Sequence, residues 1–193
     1  MRQLGLLPLV KELQLHVGGC GGGCYFSSDW LHCRILRQFS ALTNVQELGT
    51  NHLDIPSFMP RIRRYFGHFL PTIRSLILRE PKGDRRQIIY FIGMFQHLED
   101  LTLTYHWIYR LDEPVADPTL IPSFAPPLRG RLTLARSGSV EFLTDMIDLF
   151  GGIRFRWMDL FQVHGMPPLL GACAGTLETL RLYPADAREE VSR

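Results

Sequence analysis

Residues 73–78 read IRSLIL and residues 98–103 read LEDLTL, two hexapeptides with one pattern, apolar-x-x-apolar-x-apolar. Strand side chains alternate between faces, so the last two apolar positions of such a pattern share one side of a short strand and the residues between them face the other. Two further clear copies are VKELQL at 10–15 and LETLRL at 177–182. Weaker ones fill the gaps: VQELGT from Val45 lacks the last leucine, FRWMDL from Phe155 uses Met158, and LRGRLTL from Leu128 carries one extra residue. The central apolar residues are then Leu13, Leu48, Leu76, Leu101, Leu132, Met158 and Leu180, separated by 22 to 35 residues, a spacing centred on leucine-rich-repeat lengths.

Helical apolar spacing lies between these strands. Ser28 is positioned as an N-cap for a helix burying Leu31, Ile35 and Phe39, Asp84 for one burying Ile88, Ile92 and Phe95, and Ser139 for one burying Leu143, Met146, Ile147 and Phe150 that stops at Gly151–Gly152. Shorter helices are expected over 60–69 and 167–174, each with a proline in its first turn. Strands joined by crossover helices lie parallel. The expected fold class is therefore α/β, a leucine-rich-repeat-like solenoid with a parallel concave sheet and convex helices, as one domain over residues 1–193. Neither end carries a polar cap, so a piece of a longer solenoid is the expectation. Residues 105–127 hold five prolines and no helical period, which predicts a proline-rich inserted loop spanning a repeat without a helix.

The stretch VGGCGGGCYFSSDW at 17–30 falls in a strand-to-helix connection, where a phosphate cradle would sit. The motif tests fail, because no lysine completes GxxxxGK[ST] and a GxGxxG started at Gly19 places Cys24 at its last glycine. Cys20 and Cys24 have the spacing of half a zinc site, but His32 and Cys33 are adjacent on the predicted helix and point about 100° apart. The stretch reads as a turn with buried thiols. A metal- or thiol-dependent protein using Cys20, Cys24 and Cys33 is the weakest alternative, and no metal, cofactor or catalytic residue is assigned. The other histidines show no HExxH spacing, and GxSxG does not occur.

Composition sets the outer bounds. The chain has 193 residues, 46% hydrophobic and 21% charged, with 21 basic against 19 acidic side chains spread along it, so neither a nucleic-acid nor a membrane-surface partner is expected. Four cysteines make no disulfide framework, which suits an intracellular setting, cytoplasmic or nuclear. The apolar run from Leu4 to Val10 is broken by Lys11 and Glu12, and no uncharged window is free of glycine or proline runs that argue against a spanning helix.

With the leucines facing inward, the residues one before, one after and three after each central apolar line the opposite face. The first strands offer polar side chains, whereas the last ones offer Trp157, Phe161, Arg181 and Tyr183, types enriched at binding hot spots. The predicted protein-binding set is Asp100, Thr102, Arg131, Trp157, Asp159, Phe161, Arg181 and Tyr183.

Residues 9–83, opening LVKELQLHVGGCGGG and closing IRSLILREPKG, with IIYFIGMFQHLEDLTL, APPLRGRLTL, IDLFGGIRFRWMDL and TLETLRLYP, resemble the leucine-rich-repeat-like region of fungal F-box-type proteins. The resemblance covers nearly the whole chain and brings no catalytic residues. It implies a non-enzymatic protein–protein recognition module, similar to the substrate-binding region of an F-box ubiquitin-ligase subunit. True F-box members open with a Leu-Pro-x-Glu-like helix that docks the cullin-ligase adaptor. Nothing before Val10 matches that helix, which leaves a fragment or decoy without ligase docking as the alternative.

Overall fold

A computed structural model describes residues 9–16, 42–68, 70–104, 128–135, 140–150, 152–163 and 166–183. Seven strands form one parallel sheet in chain order: β1 (Glu12–His16), β2 (Glu47–Asn51), β3 (Ser75–Arg79), β4 (Asp100–Thr104), β5 (Leu128–Ala135), β6 (Ile153–Phe161) and β7 (Thr179–Tyr183). Four α-helices accompany them among the described residues: α1 (Ile55–Phe66), α2 (Arg85–Gly93), α3 (Val140–Leu149) and α4 (Met166–Cys173). None of them is long and apolar enough to cross a membrane.

The register is the one the hexapeptides predict. Leu13 pairs with Leu48, Leu48 with Leu76, Leu76 with Leu101, Leu101 with Leu132, Leu132 with Met158 and Met158 with Leu180. A second buried ladder runs two residues on, through Leu15, Thr50, Leu78, Leu103, Leu134 and Leu160. Each fully buried leucine contributes roughly 1.5–3 kcal/mol relative to exposure. The ladders carry this side of the sheet into one core with Phe58, Ile62 and Phe66 of α1, Ile88 and Ile92 of α2, Leu143 and Met146 of α3, and Leu169 of α4. The helices thus pack on the leucine side, and the opposite side is called here the outer face.

Backbone hydrogen bonds repeat from rung to rung. The carbonyl before one strand accepts two N–H groups at the start of the next: Lys11 from Gln46 and Glu47, Gln46 from Arg74 and Ser75, Arg74 from Glu99 and Asp100. At the other end, His52, Glu80 and Gln162 each follow a strand with positive φ, and each donates its N–H to the last residue of the next strand, Arg79, Thr104 and Tyr183. Left-handed backbone is costly away from glycine, so it is kept here by the bond it makes.

Helix boundaries depart from expectation in α1 and α4. Asp84 caps α2 as predicted, accepting from the Gln87 N–H at 2.8 Å while the Gln87 side chain accepts from the Asp84 N–H at 3.0 Å, a reciprocal capping box. The helix expected from Pro60, however, begins at Ile55. The Ile55 N–H donates to the Lys82 carbonyl, and Ile55, Phe58, Ile62 and Phe66 form a buried stripe, so packing extends the helix through Pro60 despite the missing backbone donor. The fourth helix ends at Cys173, one residue short of the expected end. The Ser28-capped helix, the Ser139 cap, Gly151, the 105–127 loop and the glycine-rich stretch all lie outside the described residues.

The extra residue in β5 is absorbed at Gly130. Its φ is +83°, and a Cβ there would lie 2.0 Å from the Glu99 carbonyl oxygen, so only glycine fits. The ladder shifts register beside it, with Gly130 opposite Phe155 and Arg131 opposite Trp157, which leaves Arg156 as the unopposed residue of β6. At the far edge, Leu180 and Leu182 are 38% and 52% exposed, with no helix following β7 among the described residues.

Candidate functional site

The parallel register lines up the outer face in three rows. One holds Asp100, Arg131, Trp157 and Thr179, the next Thr102, Thr133, Asp159 and Arg181, and the third Thr104, Ala135, Phe161 and Tyr183. All eight residues predicted from the sequence therefore stand on one continuous surface of β4 to β7. Thr102 and Thr133 are half-buried neighbours, and Asp100 adjoins Arg131.

Asp159 departs from its expected role. Its carboxylate, expected to be open to a partner, is 9% exposed and already occupied. Arg131 donates to Oδ2 from Nη2 at 2.5 Å and from Nε at 3.1 Å, and Arg181 Nε lies 3.8 Å from Oδ1 on the other side. Two guanidinium groups on flanking strands thus hold one buried anion, which offsets the cost of burying it. Hydrogen bonding to Asp159 raises the Arg131 pKa further above its already high value, so Arg131 is charged at any working pH. The Asp100 pKa is raised too, but there the cause is desolvation, which disfavours the charged form, with Arg131 opposing the effect and Glu99 adding to it.

Aromatic side chains flank this cluster. Trp157 is 49% exposed and Tyr183 42%. Phe161 and Tyr183 stack across β6 and β7 with centroids 4.0 Å apart and planes 4° from parallel. The stack covers one face of each ring.

Comparison with known proteins finds no match among family models, curated proteins or solved structures. The functional reading therefore rests on geometry.

Three arginines that the sequence reading passed over share this surface. Arg129 and Arg154 are exposed ladder partners, and exposed Arg156 sits at the bulge with Nε 3.6 Å from Glu178. They were missed because the reading stopped one residue before each central apolar position, whereas β5 and β6 begin four and five residues before it. The polar–apolar alternation in RGRLTL and IRFRWM was the available signal.

Cys20, Cys24 and Cys33 lie outside the described residues. Among the described residues no three His, Cys, Asp or Glu side chains gather to hold a metal ion. Cys173 is fully buried at the end of α4, and desolvation raises its thiol pKa, which makes it a packing residue.

Proposed function

We propose that this chain is a non-enzymatic protein-recognition module that meets its partner on the outer face of β5 to β7. In architecture we read it as a leucine-rich-repeat-like solenoid, supported by the chain-order sheet, the in-register leucines and the recurring bonds at strand entry and exit. In role it resembles the substrate-binding region of an F-box ubiquitin-ligase subunit, working inside the cell in cytoplasm or nucleus.

The observation that carries the reading is the exposure of Trp157 and Tyr183 on either side of a fixed Arg131–Asp159–Arg181 cluster. Aromatic and arginine side chains on a rigid sheet dominate binding energy because they bury large areas at little further ordering cost. Strand residues also hold their positions better than loop residues.

Affinity capture from extract of the native cell tests this, using the wild-type chain, Trp157→Ala/Tyr183→Ala, and Gln96→Ala in an exposed turn outside the strands. Proteins retained by the wild type and Gln96→Ala but lost by the double variant are expected. An identical set on all three chains would sink the reading. Recovery of the cullin-ligase adaptor in the same eluates would support ligase docking, and its absence would favour a binder without that link.

A further inference from the structure

We infer that the partner presents an acidic polypeptide segment to β5–β7, a conclusion that rests on the recognition reading above and names the chemistry of its ligand. The near-neutral composition hides a polarity that only the strand register exposes. Within β1 to β4 the charged strand residues are Glu12, Glu47 and Asp100 against Arg79. Within β5 to β7 they are Arg129, Arg131, Arg154, Arg156 and Arg181 against Asp159.

Among the described residues the surplus is not neutralised nearby. Asp159 is engaged by Arg131 and Arg181, and Glu178 by Arg156. Arg129 and Arg154 stand side by side in the ladder, with no acidic partner among the described residues. Like charges on adjacent strands repel, and an arriving anion converts that repulsion into attraction. Guanidinium groups suit carboxylates because their donors form a fork that matches the two oxygens.

The aromatic geometry favours a polypeptide over a nucleic-acid strand. Bases stack on open ring faces. Here Phe161 and Tyr183 each cover one face of the other at 4.0 Å, and the Asp159 carboxylate, unfavourable to a phosphate, sits between that pair and Trp157 along β6. A paired aromatic ridge beside carboxylate-binding arginines accepts acidic side chains interspersed with apolar ones.

Fluorescence anisotropy on the full chain tests this with three labelled short peptides, in which phenylalanine alternates with acidic residues, with glutamine or with lysine, and with a labelled oligouridylate. The acidic peptide is expected to bind tightest, to weaken as salt rises, and to lose about tenfold or more in Arg129→Glu/Arg154→Glu while Glu12→Gln has little effect. Tighter binding of oligouridylate, equal binding of the lysine peptide, or an unaffected arginine double variant would each overturn the acidic partner. If Trp157→Ala/Tyr183→Ala abolishes cellular capture yet the acidic peptide does not bind, this inference fails and the recognition reading stands. If capture survives that double variant, the recognition reading itself fails.

Discussion

Arg131 directs Nε and Nη2 at the same oxygen of Asp159, from the adjacent strand, at 3.1 and 2.5 Å. The carboxylate is almost fully buried while the guanidinium is about half exposed, so the two partners are not equivalent. Removing the arginine strands a buried anion that keeps, among the described residues, the more distant Arg181. Removing the aspartate leaves two arginines with access to water.

The expected result is therefore asymmetric. Arg131→Met should cost roughly 1–3 kcal/mol of unfolding free energy, and Asp159→Leu less. The double variant Arg131→Met/Asp159→Leu should recover much of the loss, since well-packed apolar replacements of a buried pair are often neutral. Urea denaturation of the four chains gives the cycle. Additive losses in the double variant would mean that the pair is not coupled.

Asp100 gives a pH dependence of defined sign. Its folded pKa is raised, chiefly by desolvation, so the folded chain holds that proton more tightly than the unfolded one. Ionisation then lowers stability as pH rises from about 4 through the raised value, and the penalty stays constant above it. Asp100→Asn removes it. The variant should melt above the wild type at pH 7, with the difference vanishing below about pH 4. A wild type that gains on the variant as pH rises would show that attraction to Arg131 outweighs burial.

Thr50 occupies the rung of the second ladder between Leu15 and Leu78. It is 1% exposed, and its Oγ1 has no hydrogen-bond partner among the described residues. Valine has nearly the same shape without the hydroxyl, so Thr50→Val should stabilise by about 1 kcal/mol. A rise in melting temperature checks it, and a fall would reveal a partner for the hydroxyl.

Thr50 also marks how far the sequence could be read. VQELGT was legible as a rung although its last leucine is missing, because Val45 and Leu48 keep the spacing and register is a cooperative property of all seven strands. The outer-face positions of Trp157, Phe161 and Tyr183 followed from the same alternation. Occupancy did not follow: nothing local says that Asp159 is enclosed by arginines 28 residues before it and 22 after it, since that depends on parallel neighbours. The left-handed residues His52, Glu80 and Gln162 were equally silent, as non-glycine residues adopt that backbone only when tertiary bonds demand it. Helix α1 shows the reverse limit, where a local proline rule gave way to a buried stripe beginning at Ile55.

Gly130 is where the irregular repeat either fits or fails. Two constraints meet there, a φ of +83° and the Glu99 carbonyl, which a Cβ would approach to 2.0 Å. The strand must shift to relieve the clash, and that shift would pull on the Arg131 N–H, which donates to the same carbonyl at 2.7 Å. Arg131 in turn carries the contact to Asp159, so the outer face should register the damage along with the core. Gly130→Ala is expected to cost about 2 kcal/mol or more, well beyond the usual surface substitution. Gly171→Ala in α4 is the control, because nothing lies within 4 Å of its Cβ position and alanine favours a helix by roughly 0.5–1 kcal/mol. Opposite signs for the two glycines in thermal melts are the expected outcome. Equal, small effects would mean that the β5 strand has room to move, and that the bulge does not fix the Arg131 side of the cluster.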